Sequence, residues 1–167
     1  ATTNIAIKAA YSGLELRCSK VIDQLELFLM DLDTKKIEPI TKELDPSISS
    51  VHWSLADNHL YAVCENKDLV SVFRMDMTEK KGHRNGKWEM LQLNEPNIKG
   101  GISLAKEKPV MVYTGLSGET TDHSWVLDLK KNKHTSLTDL NPTRLDGIAI
   151  GKCLDWTYCT ERGDSIT

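Results

Sequence analysis

The sequence predicts an all-β chain: a partial β-propeller of about three four-stranded antiparallel blades laid side by side. Three observations predict it. An apolar strand that runs into an aspartate, then a polar turn, then a second strand, occurs three times: residues 25–41 (LELFLMDLDTKKIEPIT), residues 69–93 with a polar insertion, and residues 123–138 (HSWVLDLKKNKHTSLT). The aspartates Asp31, Asp76 and Asp128 stand 45 and 52 residues apart, a period in the range of four-stranded propeller repeats. No stretch carries the 3.6-residue apolar period of an amphipathic helix.

Residues 4–10 (NIAIKAA) read as a short strand and residues 11–24 as a long polar loop. Residues 25–32 are apolar except at Glu26 and Asp31, the pattern of a strand covered on both faces. Residues 33–36 make the turn, and residues 37–41 the outer strand. Asn132 of the third copy stands where the first has Lys35. Asparagine tolerates the left-handed backbone that hairpin turns often require, so Asn132 is expected at positive φ; a lysine held there costs about 1 kcal/mol. Asp45-Pro46-Ser47 leads to a unit that opens at residues 51–54, turns at Asp57-Asn58 and continues as an alternating strand over residues 59–65. After a turn at residues 66–68 comes the strand 69–77. Residues 78–87 form a charged hairpin tip with its tight turn expected at Asn85-Gly86. Their basic run reads as a solvated loop, not a phosphate patch. Residues 88–93 close the unit.

The third unit begins at residues 100–105, where Ser103-Leu104-Ala105 echoes Ser54-Leu55-Ala56. Residues 110–114 are its second strand, 115–122 a connection, and 125–129 and 134–138 its last two strands. Residues 138–142 break the pattern. A new strand is expected over residues 153–159 (CLDWTYC), with a turn out of it at residues 161–164.

Composition narrows the function classes. The 167 residues carry a net charge near −3, which argues against a nucleic-acid or anionic-membrane surface. No apolar run approaches the roughly 20 residues of a membrane span. The first residues lack the basic and apolar regions of a signal peptide and read as a chain entered in mid-strand. The four cysteines, Cys18, Cys64, Cys153 and Cys159, show no C-x-x-C spacing. They are expected as buried thiols, with a disulfide or a metal site as rarer alternatives. No glycosylation sequon is available, and the compartment stays open.

No catalytic constellation is legible. The nearest approach to a G-x-S-x-G nucleophile turn, residues 115–119 (GLSGE), lacks the final glycine and a following helix and reads as a hairpin loop. The five histidines, His52, His59, His83, His123 and His134, are dispersed, without a metal-like i, i+4 pair. Asp31 and Asp33 sit at a turn, where short acidic side chains bond backbone amides. Trp53, Trp88, Trp125 and Trp156 read as core before ligand platform. The expected site list is therefore empty: no catalytic, cofactor-binding or metal residues, and no cofactor.

The motifs together resemble the propeller of the prolyl-oligopeptidase family of serine peptidases, with its WD40-like or TolB-like repeats. Trp53-Ser54-Leu55-Ala56-Asp57, Leu60-Tyr61 and Phe73-Arg74-Met75-Asp76 match its blade pattern. Residues 125–129 (WVLDL) with residues 137–142 (LTDLNP) look like the last blade of the dipeptidyl-peptidase and acylaminoacyl-peptidase branch. Residues 153–167 are similar to the strand leaving that propeller for the hydrolase domain. Leu55-Ala56, where proline usually precedes the aspartate, Lys35 and Asn132 at the turn glycine, and Ile102 at a common blade tryptophan depart from the pattern. The resemblance implies blades over about 1–44, 45–97 and 98–140, within a propeller reaching residue 150, and an exit segment over 151–167. It also implies a catalytic α/β-hydrolase domain of the same parent after residue 167, which holds the Ser, Asp and His, with short peptides as substrates. On this reading the chain is a fragment that gates access and is inactive alone. The rival reading is a non-enzymatic propeller or β-sandwich scaffold for protein partners; a dimer of half-propellers is a third.

Overall fold

The structure is a computed structural model and describes residues 5–13, 23–80, 83–84, 86–95, 97–116, 122–138, 147–148, 154 and 156–166. It is all-β, with no helix among the described residues. The first sheet has three strands in the order β1 (Ile5–Gly13), β2 (Asp23–Asp31), β3 (Ile37–Pro39). The second has four: β4 (Ser47–Ser54), β5 (His59–Asn66), β6 (Leu69–Asp76) and, after a two-stranded ribbon of β7 (Glu79–Lys80) and β8 (His83–Arg84), β9 (Glu89–Met90). The third also has four, β10 (Asn97–Leu104), β11 (Val110–Leu116), β12 (His123–Asp128) and β13 (Lys133–Ser136). A ribbon of β14 (Tyr158–Cys159) and β15 (Ser165–Ile166) follows. All pairings are antiparallel, and no closed propeller is present among the described residues.

The repeated aspartate has a local cause. Asp31 Oδ1 accepts the backbone N–H of Asp33 (3.0 Å) and Thr34 (2.8 Å); Asp128 Oδ1 accepts those of Lys130 and Lys131, both at 3.0 Å. Each carboxylate thus holds the turn that ends its strand. Four residues on, Lys35 (φ 61°) and Asn132 (φ 49°) both adopt the left-handed conformation expected of Asn132. The threonine ten residues after each aspartate closes the same frame. Thr41 Oγ1 accepts the Leu27 N–H, and Thr138 Oγ1 accepts the Ser124 N–H, both at 2.9 Å. A side chain therefore continues the ladder where the outer strand ends.

The three main sheets stack face to face in chain order. Leu27 and Leu29 of the first sheet pack with Leu60, Ala62, Cys64 and Met75 of the second. Tyr61, Val63 and Val72, on the opposite face of the second sheet, pack with Ile98, Met111, Tyr113 and Leu127 of the third. Both faces of β5 are therefore dry, where the sequence suggested an alternating strand; a sheet with neighbours on each side needs no polar face. Polar bonds tie the interfaces together: Trp88 Nε1–H donates to the Ile40 carbonyl (2.7 Å), and Val70 N–H donates to Asn97 Oδ1 (3.0 Å).

Several expectations are corrected. Residues 11–13 and 23–24, expected as loop, belong to β1 and β2, because Tyr11↔Leu25 and Gly13↔Asp23 extend the ladder: pairing overrides a polar local composition. The first strand of the second unit begins at Ser47, not residue 51, and carries a bulge between Ile48 and Ser50. That of the third begins at Asn97 and bulges between Ile98 and Ile102, where Gly100 (φ 75°) and Gly101 (φ 91°) supply the left-handed backbone. The charged ribbon pairs Lys80 with His83 and so closes before Asn85-Gly86 is reached; Asn85 itself lies outside the described residues. The expected strand over residues 153–159 is reduced to Tyr158–Cys159, with residues 149–153 and 155 outside the described residues. The turn after it is present, with Gly163 at φ 87°. Trp156 is 78% exposed, not core, because a two-stranded ribbon offers its ring no facing sheet. Cys64 is a buried free thiol as expected, but Cys159 is exposed; Cys18 and Cys153 lie outside the described residues.

Candidate functional site

Two polar clusters sit against the sheet interfaces. The first grows from the β4–β5 hairpin. Ser54 pairs with His59 across it, with Asn58 at φ 55°, and the turn delivers Asp57 over the start of β5. Tyr61, fully buried, donates its hydroxyl to Asp57 Oδ2 at 2.6 Å. His59 Nδ1–H donates to the Asp57 carbonyl oxygen at 2.7 Å and lies 3.7 Å from Oδ2. Asp57 Oδ1 is buried without a hydrogen-bond partner. Burial, then the Asp57 hydrogen bond and charge, push the Tyr61 phenol far above its ordinary range. This cluster locks a hairpin; it leaves no nucleophile poised.

The second cluster joins the β9–β10 linker to the third sheet. Asn94 N–H donates to the Tyr113 hydroxyl oxygen at 3.2 Å, which leaves the hydroxyl proton to donate to His134 Nδ1 at 3.0 Å. Burial raises the Tyr113 phenol above its ordinary value. Glu95, only 5% exposed, places Oε1 3.6 Å from His123 Nδ1. The Trp125 ring stands edge-on between His123 and His134, with centroids 6.3 and 6.5 Å away. Its buried Nε1–H has no partner. Residues of three strands and a linker converge here: Leu127 pairs with His134 and Trp125 with Tyr113, which puts all four on one face of the third sheet.

Neither cluster completes a hydrolytic centre. Ser50 Oγ lies 3.4 Å from His52 Nε2, a long contact within one strand. Among the described residues no group of three His, Cys, Asp or Glu side chains could hold a metal ion. The GLSGE stretch begins at the end of β11, and its serine lies outside the described residues. A cleft of about 460 Å³ opens between the first two sheets over Ile40, Met75, Met77 and Trp88, with Lys36 and Lys87 at its rim. Among the described residues no histidine, serine or cysteine lines it; its charged lining is Lys36, Glu38, Lys42, Glu43, Asp76 and Lys87. Among the described residues no helix is long and apolar enough to cross a membrane.

The histidines are dispersed in the sequence, yet the fold brings His123 and His134 together on Trp125. The signal was there: a four-residue turn after Asp128 with period-2 alternation on both arms puts Trp125, Leu127 and His134 on one face. Glu95 carried no such signal, because the linker's path depends on the third sheet. No protein-family model matches the chain, and no curated protein matches it.

Proposed function

We propose that the chain forms three consecutive blades of a β-propeller that gates peptide access to the catalytic domain of a serine peptidase of the prolyl-oligopeptidase type. One observation carries the propeller part: the stacking repeats in register. Ile5↔Asp31, His59↔Asp76 and Val110↔Asp128 are the same pair in three sheets. Counted from those pairs, Leu27 corresponds to Val72, and both face the following sheet; Met75 corresponds to Leu127, and both face the preceding one. The first interface thus repeats the residue correspondences of the second, which supports a reading as successive radial repeats.

The peptidase part rests on the order of the blade motifs and on the resemblance of residues 153–167 to a segment entering a hydrolase domain. Labelling with a fluorophosphonate and turnover of dipeptide–dye substrates test it. The 167-residue chain is expected to be inert, and the chain continued downstream in its own reading frame to label and turn over. A downstream frame with no G-x-S-x-G and no labelling would leave the non-enzymatic scaffold in its place.

A further inference from the structure

We infer that the cleft between the first two sheets is a binding site for a small zwitterion with an apolar body, as presented by an apolar amino acid or an unblocked apolar dipeptide. The inference uses the cleft alone and stands whether or not the parent is a peptidase. Its floor is apolar and fixed. Met75 and Met77 line it while only 5% and 4% exposed, together with half-buried Ile40 and Trp88. Methionine side chains adapt to the outline of an apolar group. The Trp88 ring has little freedom, because its Nε1–H donates to the Ile40 carbonyl at 2.7 Å, from the second unit to the first. The wall beside it is equally set. A Cβ on Gly86 would lie 2.6 Å from Met75 Cγ and would strike the Asp76 carbonyl oxygen, so the segment leading into Trp88 lies directly on the end of β6. A site built before its ligand arrives loses little in ordering on binding. Its volume, about 460 Å³, lies within the range of small-molecule sites.

The rim decides the chemical class. Lys36, Lys42 and Lys87 stand there with Glu38, Glu43 and Asp76, three cations and three anions. Both sides of the cleft carry both signs: residues 36–43 bring two lysines and two glutamates, and the second sheet with its strap brings Asp76 and Lys87. No ion pair among the described residues engages Lys36, Lys42, Lys87 or Glu43. An apolar anion would meet three carboxylates, and an apolar cation three ammonium groups. A neutral apolar molecule would cover the floor but draw water from the rim charges without replacing it. A ligand with one ammonium and one carboxylate gives each sign a charge-assisted partner, while its apolar body covers the methionines.

Titration of the 167-residue chain with L-leucyl-L-leucine, followed by NMR of methyl-labelled methionine and of the indole N–H signals, tests this. Saturable shifts are expected at Met75, Met77 and Trp88 Nε1–H, with Met111, buried between the second and third sheets, unmoved. Acetylating the amine or amidating the carboxylate should each weaken binding roughly 3- to 5-fold, and both together about 10-fold or more. Lys87→Ala and Glu43→Ala, both at exposed positions, should each weaken the free dipeptide and leave the doubly blocked one unchanged. Free leucine is titrated in the same way: tighter binding of leucine assigns the site to amino acids, tighter binding of dileucine to peptides. No saturable shift at Met75 and Met77 with either ligand up to about 10 mM overturns the inference. So does a doubly blocked dipeptide that binds as tightly as the free one, because the apolar floor would then act alone. Equal binding of either singly blocked form refutes it as well, since one of the two charges would go unread. The ligand series decides even where a variant does not fold.

Discussion

Replacing Tyr61 by phenylalanine removes one oxygen from the middle of the molecule and little else. The residue is fully buried, and its hydroxyl donates to the Asp57 carboxylate at 2.6 Å. A hydrogen bond to a charged group contributes roughly 1.5–3 kcal/mol, and the other carboxylate oxygen, Oδ1, already lacks a partner. Tyr61→Phe should therefore destabilise by about 2 kcal/mol, which for a chain of this length lowers Tm by roughly 4–8 °C. Tyr113→Phe is the control. Its hydroxyl bonds the Asn94 amide and the His134 ring rather than a carboxylate, so the loss should be about 1 kcal/mol. Urea unfolding followed by near-ultraviolet circular dichroism measures both, with Asp57→Ala added to close a double-mutant cycle. In the Asp57→Ala background the cost of Tyr61→Phe should fall by about 1 kcal/mol or more. The phenol is held above its ordinary value in the fold, so its contribution is intact below about pH 10 and lost as pH rises past the unfolded phenol's pKa. Tyr61→Phe should accordingly flatten the alkaline limb of the stability profile. An undiminished cost in the absence of Asp57, or a smaller cost than that of Tyr113→Phe, would refute the reasoning.

Gly115→Ala should destabilise by about 1–3 kcal/mol through overpacking, because a Cβ there would lie 2.5 Å from Glu95 Cβ and 3.2 Å from the Asn97 carbonyl oxygen; chemical denaturation reads it, and a neutral result would mean that the linker moves freely off the third sheet. Lys35→Asn should stabilise by up to about 1 kcal/mol, since the position sits at φ 61°, and thermal melts of the two proteins decide. Cys64 is buried and its thiol is pushed up to about 12, so stability should be intact below about pH 9 and fall by up to tenfold in the folding equilibrium per pH unit from there towards 12. A Cys64→Ala variant should lose that dependence. In the native protein a thiol reagent should modify exposed Cys159 well before Cys64.

Much of the fold was legible because its cues are local. The aspartate at the end of β2 and of β12 bonds amides two and three residues away, and the left-handed residue follows within the same turn. Strand starts were harder to read. Ser47 and Asn97 open β4 and β10 through pairing with β5 and β11 across bulges, and a bulge resets the alternation that sequence reading relies on. The echo of Ser54-Leu55-Ala56 in Ser103-Leu104-Ala105 misleads for the same reason. By hairpin register Ser54 corresponds to Ala105, two residues later, and Trp53 to Leu104. Leu104, not Ile102, therefore stands where the second sheet has Trp53.

What the period of a strand does not encode is which sheet comes to rest on it. Tyr61 and Val112 occupy the same place in their sheets, each two residues after the one that pairs with the repeated aspartate. Tyr61 is sealed beneath the third sheet, whereas Val112 is 37% exposed. Both are apolar-bodied β-formers, so no propensity separates them; the difference is the neighbour. The same dependence governs the polar clusters. Tyr113 faces back towards the second sheet, where the linker carrying Asn94 and Glu95 must cross, and its partners are fixed by that crossing rather than by β11. Burial in a stack of sheets is thus a property of interfaces, and an interface is legible only once the register of two sheets is known.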